Sequence, residues 1–439
     1  MHHRDEADLI IRGGRIHRFD AEESTATALA VRDGVIVALD EKAEALRARD
    51  TVELDGRTAI PGVNDAHLHA AWLGARWPHL FFSEDPAAHQ PSGRLVSTPA
   101  ERHAALLRAW RLLAELGITS YTEPGIGPGE DEGETGCFGT GMLDAYVELH
   151  RAGAQTSRVT MLRLFGTIDG ESTLEDFERG LRMPAPQTDP RWLAITGVKI
   201  FADGIPPLAT AWVQEPYADG TTGHLLTRGE DPVTAFRRMV ELAVRDGRQV
   251  AVHATGDRSI EEFLLALEGL GAPTASGPHY VVHGDLATPD QIERLRRIGA
   301  GFAVQPLIAA HTHAWAGAQL GPARLATAWP LREMLDAGVL TTVTSDAPIA
   351  TPDWRASLDA ALALLGADAV GTRRALLRRM TADAARQDGA EAWKGTLETG
   401  KVADLTVLDE DPLEPGRPFA AAGVARTIVG GRTVFSSGS

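Results

Sequence analysis

Cysteine is almost missing from this sequence: Cys137 is the only one among 439 residues. No disulfide can close within one chain and no thiolate cage can hold a metal, so any metal site must be built from His, carboxylate or Lys. Long apolar runs are missing as well, and no stretch approaches the roughly 18 uncharged apolar residues of a membrane span. Positive charge is scarce. The 43 Lys and Arg face 60 Asp and Glu, a formal balance of -17, which repels phosphate backbones and anionic lipid surfaces. The expected partner is therefore a small-molecule substrate, with no nucleic acid and no membrane, and a homo-oligomer is left open. Residues Met1 to Ile10 carry Asp5, Glu6 and Asp8 and lack an apolar h-region, so they do not read as a signal peptide and the expected location is cytoplasmic.

What is present is an ordinary globular composition, 44% apolar and 23% charged, arranged in two textures. Both ends read as short strands and turns: Asp8 to Ile11, Gly14 to Arg18, Ala28 to Arg32, Val35 to Leu39 and Val52 to Leu54 at one end, Asp404 to Leu408, Ala425 to Val429 and Arg432 to Phe435 at the other. Asp33-Gly34 and Gly430-Gly431 are hairpin signals. Neither end is long enough for its own core, so residues 1–57 and 395–439 are expected to form one composite β-sandwich. Between them, residues 58–394 alternate apolar runs with helical stretches. Candidate strands end near Asn64, Glu123, Phe165, Phe201, His253, His283, Gln305 and Ser345, and helices cover Arg102 to Leu116, Val233 to Arg245 and a segment opened by Thr288-Pro289-Asp290-Gln291. Eight such units predict an α/β fold, a distorted (β/α)8 TIM barrel. The loops Pro78 to Ser97 and Pro124 to Gly141 are rich in Gly, Pro and acid and suit lids over a barrel mouth.

Strand ends carry the chemistry. Thr58 to Val63 runs into Asn64-Asp65-Ala66-His67-Leu68-His69, and residues two apart in a strand share a side, so His67 and His69 can share one cation. Lys199 sits in the apolar run Gly197 to Phe201, His253 ends Gln249 to His253, His283 ends Tyr280 to His283, and Asp346 follows Leu340 to Ser345. Each has an ordinary structural reading alone. Together they fall at the same end of successive strands, where barrel enzymes keep their sites.

Pro61-Gly62-Val63-Asn64-Asp65-Ala66-His67-Leu68-His69, Val198-Lys199-Ile200-Phe201-Ala202-Asp203-Gly204, Val252-His253-Ala254-Thr255-Gly256-Asp257-Arg258 and Thr344-Ser345-Asp346-Ala347-Pro348 resemble the amidohydrolase superfamily, in particular its family 3 branch of N-substituted formamide deformylase-like proteins. The tail from Gly400 to Asp409 and the head from Gly34 to Ala38 resemble that superfamily's split β-sandwich. The resemblance implies a metal-dependent amidohydrolase in which His67, His69 and Asp346 bind a more buried metal. It also implies that His253 and His283 bind a more exposed one, with carboxylated Lys199 bridging the two; the six ligands fit a divalent metal pair, two Zn2+ first, and the same set would accept manganese, iron or cobalt. The implied reaction is hydrolysis of an amide-type C–N bond (N-acyl, N-formyl or cyclic amide) by metal-activated hydroxide, with Asp346 as general base. The alternative is a mononuclear deaminase of a nitrogen heterocycle on the same fold. Such deaminases place a Glu shortly after the fifth-strand His, whereas here Ala254-Thr255-Gly256-Asp257 follow.

Several residues are not settled by the pattern. The His283 segment lacks the Glu that usually precedes this His, so no support for its ring is named. Glu123 reads more as a loop anchor than as a ligand or substrate contact. His311 and His313 read as substrate contacts of a mobile loop or as solvent-facing residues. Trp72, Trp77, Trp212, Trp315, Trp329 and Trp354 follow strand ends and either favour an apolar or aromatic group in the pocket or pack lids and helices, and Arg76 and Arg258 are candidates to hold a substrate carboxylate.

Overall fold

The β-branched runs of the middle segment form eight parallel strands in a computed structural model that describes residues 6–82, 90–270 and 277–438. They are β1 Val63–Asp65, β2 Ile118–Ile126, β3 Arg158–Leu164, β4 Leu193–Phe201, β5 Gln249–Ala254, β6 Tyr280–His283, β7 Gly301–Val304 and β8 Leu340–Val343. Each pairs with its neighbour in chain order. The barrel is nearly closed. Between β8 and β1 the loop backbones bridge the seam: Asp346 N donates to His67 O at 2.9 Å and His69 N to Ala347 O at 2.8 Å.

Strand period decides what faces inward. Leu162, Ala251, Tyr280, Val282 and Ala303 fill the barrel interior as one cluster. Val250, Val252, Val281 and Phe302 belong instead to the large cluster shared with the surrounding helices. Lys199 is in register with Ala251, and Phe201 with His253, so both functional side chains share the inward face with Ala251. The helices start where their caps dictate. Thr288 and Gln291 form the expected capping box of Pro289–Ile298. A second box, Thr98 with Glu101, starts Pro99–Glu115 three residues before the expected Arg102.

The termini build a separate, mainly antiparallel eight-stranded sheet. The two expected strands Asp8 to Ile11 and Gly14 to Arg18 are one strand, Glu6–His17, with a register shift between Arg12 and Ile16. Gly13 there has φ 78°, and a Cβ on Gly14 would lie 2.2 Å from Arg57 O, so the close approach requires glycine. Thr58 to Val63 is likewise not one strand. Thr58–Pro61 pairs with Leu405–Leu408 and with Glu6–His17 in the terminal sheet, and only Val63–Asp65 joins the barrel. The expected boundary at residue 58 thus falls before a strand that belongs to the terminal sheet. Leu9, Ile11, Val52 and Leu54 pack with Leu405, Val407, Ala425 and Ile428 in one buried cluster, which joins the two ends of the chain. Residues 83–89 of the expected lid lie outside the described residues. Its start is docked, with Phe81 N and Phe82 N donating to Pro348 O and Ile349 O. Among the described residues, no helix is long and apolar enough to cross a membrane.

Candidate metal centre

His67, His69, Lys199, His253, His283 and Asp346 all line one cavity of about 330 Å³ at the C-terminal ends of the barrel strands. Strand alternation does not orient the first pair, because β1 stops at Asp65. The seam does. With His67 O and His69 N held by the loop after β8, the two rings stand 5.5 Å apart between centroids at 81°. Their Nε2 atoms lie 3.3 and 3.4 Å from Asp346 Oδ1. One donor atom from each of the three residues lies within 4.8 Å of the others, and all three residues are buried. Asp346 adopts φ 56° and His283 φ 73°, left-handed conformations that side chains beyond Gly rarely take and that collect at functional sites.

Burial and the charges of neighbouring groups together set the protonation pattern. Burial pushes His67 down to about 3, helped by the nearby Lys199 charge. His69 is also desolvated, but Asp346 and Glu123 outweigh that and bring it up to about 9. Asp346, despite burial, is held well below the carboxylate range by His67 and His69. Burial brings Lys199 down to about 7 and lowers His253 and His283.

Each imidazole beyond His67 is oriented by a second contact. His283 Nδ1 lies 2.7 Å from Gln305 Oε1, while Gln305 Nε2 donates to Thr344 Oγ1 and Ala303 O. The amide oxygen therefore faces the ring, Nδ1 carries the proton, and Nε2 keeps its lone pair. His253 Nε2 is 3.2 Å from Gly204 O, a carbonyl that can only accept, which leaves Nδ1 as the free donor atom. Asp203 braces the loops after β4 and β5, accepting from Thr255 N, Gly256 N, Trp212 N and Ser259 Oγ. Glu123 is an anchor, accepting from Ala71 N and from Tyr146 OH. It also stands beside the site, with Oε1 3.5 Å from His69 Nδ1.

The remaining expectations fare differently. His311 and His313 lie on the helix Pro306–Leu325, not on a loop. His311 stacks on Phe82 with centroids 5.0 Å apart, and it is Thr312 between them that reaches the cavity. Of the six tryptophans only Trp72 lines the cavity. Trp354 is core and donates to Leu116 O, and Trp315 is 59% exposed. Arg76 turns onto the Phe81 ring and Arg258 onto Trp212, so neither reaches the cavity to hold a carboxylate. Gln305, Asp203 and Tyr146 were not singled out by sequence. For Gln305 the only available signal was its place directly after the seventh strand.

A nearly closed parallel barrel with imidazoles and a carboxylate at its C-terminal mouth places the chain among barrel proteins built to hold cations. The chain belongs to the amidohydrolase family, whose model matches residues 82–435. It is 28% identical to the putative amidohydrolase YtcJ of Bacillus subtilis over 54% of this chain, and it spans only 46% of that protein, about half its length. It is 26% identical to the N-substituted formamide deformylase of Arthrobacter pascens, over 80% of this chain and 67% of that one. A 5-methylthioadenosine/S-adenosylhomocysteine deaminase of Haloarcula marismortui is 25% identical over 92% of this chain and 85% of its own length. The fold matches an uncharacterized metal-dependent hydrolase of Pyrococcus horikoshii with a TM-score of 0.72, at 19% identity, covering 94% of this chain and 99% of that one.

Proposed function

We propose that the protein is a metal-dependent hydrolase that cleaves an amide-type C–N bond, with two zinc ions bridged by carboxylated Lys199. The observation that carries this reading is the convergence of all six side chains on one cavity. The donor set suits a divalent cation: three donor atoms are close and buried, and His253 and His283 each keep one ring nitrogen free of the protein contacts described above. A bound cation supplies Lewis acidity and brings the pKa of water toward neutrality.

The chain's own residues do the rest. Asp346 accepts the water proton at a carboxylate oxygen as the water oxygen adds to the carbonyl carbon, then returns it to the nitrogen as the C–N bond breaks. Lys199, brought to about 7 by burial, offers at neutral pH the uncharged amine that carbon dioxide needs. As a carbamate it presents two oxygens and a negative charge. Ile168, Ile205, Leu208, Ile308 and Ile349 wall the cavity, and Lys199 is its only Lys or Arg among the described residues. A neutral N-acyl or N-formyl amine with an apolar group fits this lining better than an N-acyl amino acid.

The deaminase alternative has no Glu after His253 to shuttle protons, since residues 254–257 are Ala, Thr, Gly and Asp. A panel of N-formyl and N-acyl amines beside nitrogen heterocycles tests the reading. Release of carboxylic acid with free amine is expected, and ammonia release from a heterocycle alone would overturn it.

A further inference from the structure

Behind His69 runs a chain of buried hydrogen bonds that the reaction itself does not use. Trp110 Nε1 on the helix Pro99–Glu115 donates to Tyr121 OH on β2 at 2.8 Å. Tyr121 OH donates to Tyr146 OH, on the helix Thr140–Arg151, at 3.1 Å. Tyr146 OH donates to Glu123 Oε2 at 2.7 Å. Trp110 is 1% exposed and the other three residues are fully buried. Burial raises the pKa of both phenols well above the ordinary value, so both keep their protons.

The direction of this chain is forced. An indole N–H can only donate, so the Tyr121 oxygen accepts there and its proton is left for Tyr146. A carboxylate can only accept, so the Tyr146 proton goes to Glu123. Turning the hydroxyls round would aim the Tyr121 proton at the Trp110 N–H and take the shorter of two donors from the buried Glu123 oxygen, a penalty buried polar groups rarely carry. Ala71 N donates to the same Glu123 oxygen, Oε2, at 3.3 Å. Oε1 is left facing His69 Nδ1 at 3.5 Å, and both atoms are buried without a hydrogen-bond partner, each other included, so a small closing of this gap would satisfy both. Phenylalanine at 121 or 146 would fill almost the same space with no hydroxyl to satisfy, so packing alone does not call for tyrosine.

We propose that Tyr146 and Tyr121 are positioning residues for the metal site: the one-way chain from Trp110 commits Glu123 Oε1 to His69 Nδ1–H, which fixes the ring so that Nε2 presents its lone pair beside Asp346. The inference rests on the proposed metal-binding role of His69. It makes the helices outside the barrel part of the apparatus that sets zinc affinity, although none of Trp110, Tyr121 and Tyr146 lines the cavity.

The test is zinc affinity of the chelator-stripped full chain, by competition with a chromophoric chelator, with the cobalt-substituted visible spectrum as a second readout. Tyr146→Phe and Glu123→Gln are each expected to weaken zinc by about 10-fold or more, the usual effect of removing a ligand's outer partner. Tyr121→Phe should weaken it less, in the same direction. The double variant Tyr146→Phe/Glu123→Gln should be no weaker than Glu123→Gln alone, because the hydroxyl acts through that carboxylate. A merely structural hydroxyl predicts full additivity and an unchanged cobalt spectrum, and either result overturns the proposal. If Tyr146→Phe does not fold, Tyr121→Phe decides by the same comparison in the Glu123→Gln background. Wild-type protein that binds no zinc would remove the metal reading altogether. Zinc binding shared equally by wild type and Tyr146→Phe would remove only the relay.

Discussion

The Asp346 carboxylate lies 3.3 Å from Nε2 of His67, and the same two residues are joined through their backbones, Asp346 N donating to His67 O at 2.9 Å. The seam that closes the barrel and the core of the candidate site are therefore one structure. Asp346→Asn separates the two roles. The backbone bond and an amide oxygen remain, whereas the acceptor for the water proton is lost. Turnover should fall by about 10² or more while bound metal, read by elemental analysis, is largely kept. Near wild-type turnover in this variant would make Asp346 structural.

Lys199→Ala removes the proposed bridge without touching the imidazoles. Activity should be lost and then partly restored by millimolar short-chain carboxylates, which place two oxygens in the vacated space. With 13C-labelled bicarbonate, wild-type protein should show a carbamate carbon signal that Lys199→Ala lacks. Full activity of the alanine variant without any added carboxylate would exclude Lys199 from the site.

The strand-end residues were legible because a parallel barrel makes position along the chain and position in space the same thing: every apolar run ends at the same mouth. The orienting contacts were not, because they depend on side chains from other elements. Gln305 supports His283 in place of the Glu that the sequence lacks. Glu123 stands 3.5 Å from His69 Nδ1 through one oxygen while Tyr146, on a separate helix, occupies the other. Arg76 and Arg258 illustrate the reverse error. Each stands near the mouth in sequence, yet each is drawn onto an aromatic face, Phe81 or Trp212. The split of Thr58 to Val63 between two sheets was equally hidden, since the strand in Leu405–Leu408 that captures Thr58–Pro61 lies at the far end of the chain.

The terminal sheet carries its own pH signature. His17 Nε2 lies 3.0 Å from Asp411 Oδ1, and Arg15 donates to Oδ2 at 2.9 Å. Burial raises the Asp411 pKa, but the bonds from His17, Leu413 N and Arg15 outweigh it and hold the carboxyl below its ordinary value. A carboxyl whose folded pKa lies below its unfolded value of about 3.9 stabilises fully above that value, and the gain is lost as pH falls through the folded pKa. The stability gap between wild type and Asp411→Asn should thus be widest near neutrality and close as pH drops below about 4. Urea unfolding across that range measures it, and a gap independent of pH would show that the charge contributes nothing.

Deleting residues 401–439 should leave the protein insoluble. Leu405–Leu408 pairs with Thr58–Pro61, and Arg158 on β3 is ion-paired with Asp404 at 2.6 Å, so the deletion exposes a strand edge and strands a buried guanidinium. Sedimentation of the expressed truncation reads the outcome. A soluble, active form would mean that the two ends do not share a core.

Hydrolysis is proposed to depend on a metal pair held by His67, His69, Lys199, His253, His283 and Asp346. This dependence is tested most directly by titrating zinc into chelator-stripped protein in bicarbonate buffer while following acid release from an apolar N-formyl or N-acyl amine. No turnover is expected at the start, followed by a rise that levels at two zinc ions per chain. Turnover that survives complete metal removal would contradict it, and so would a plateau at one zinc with Lys199 unmodified.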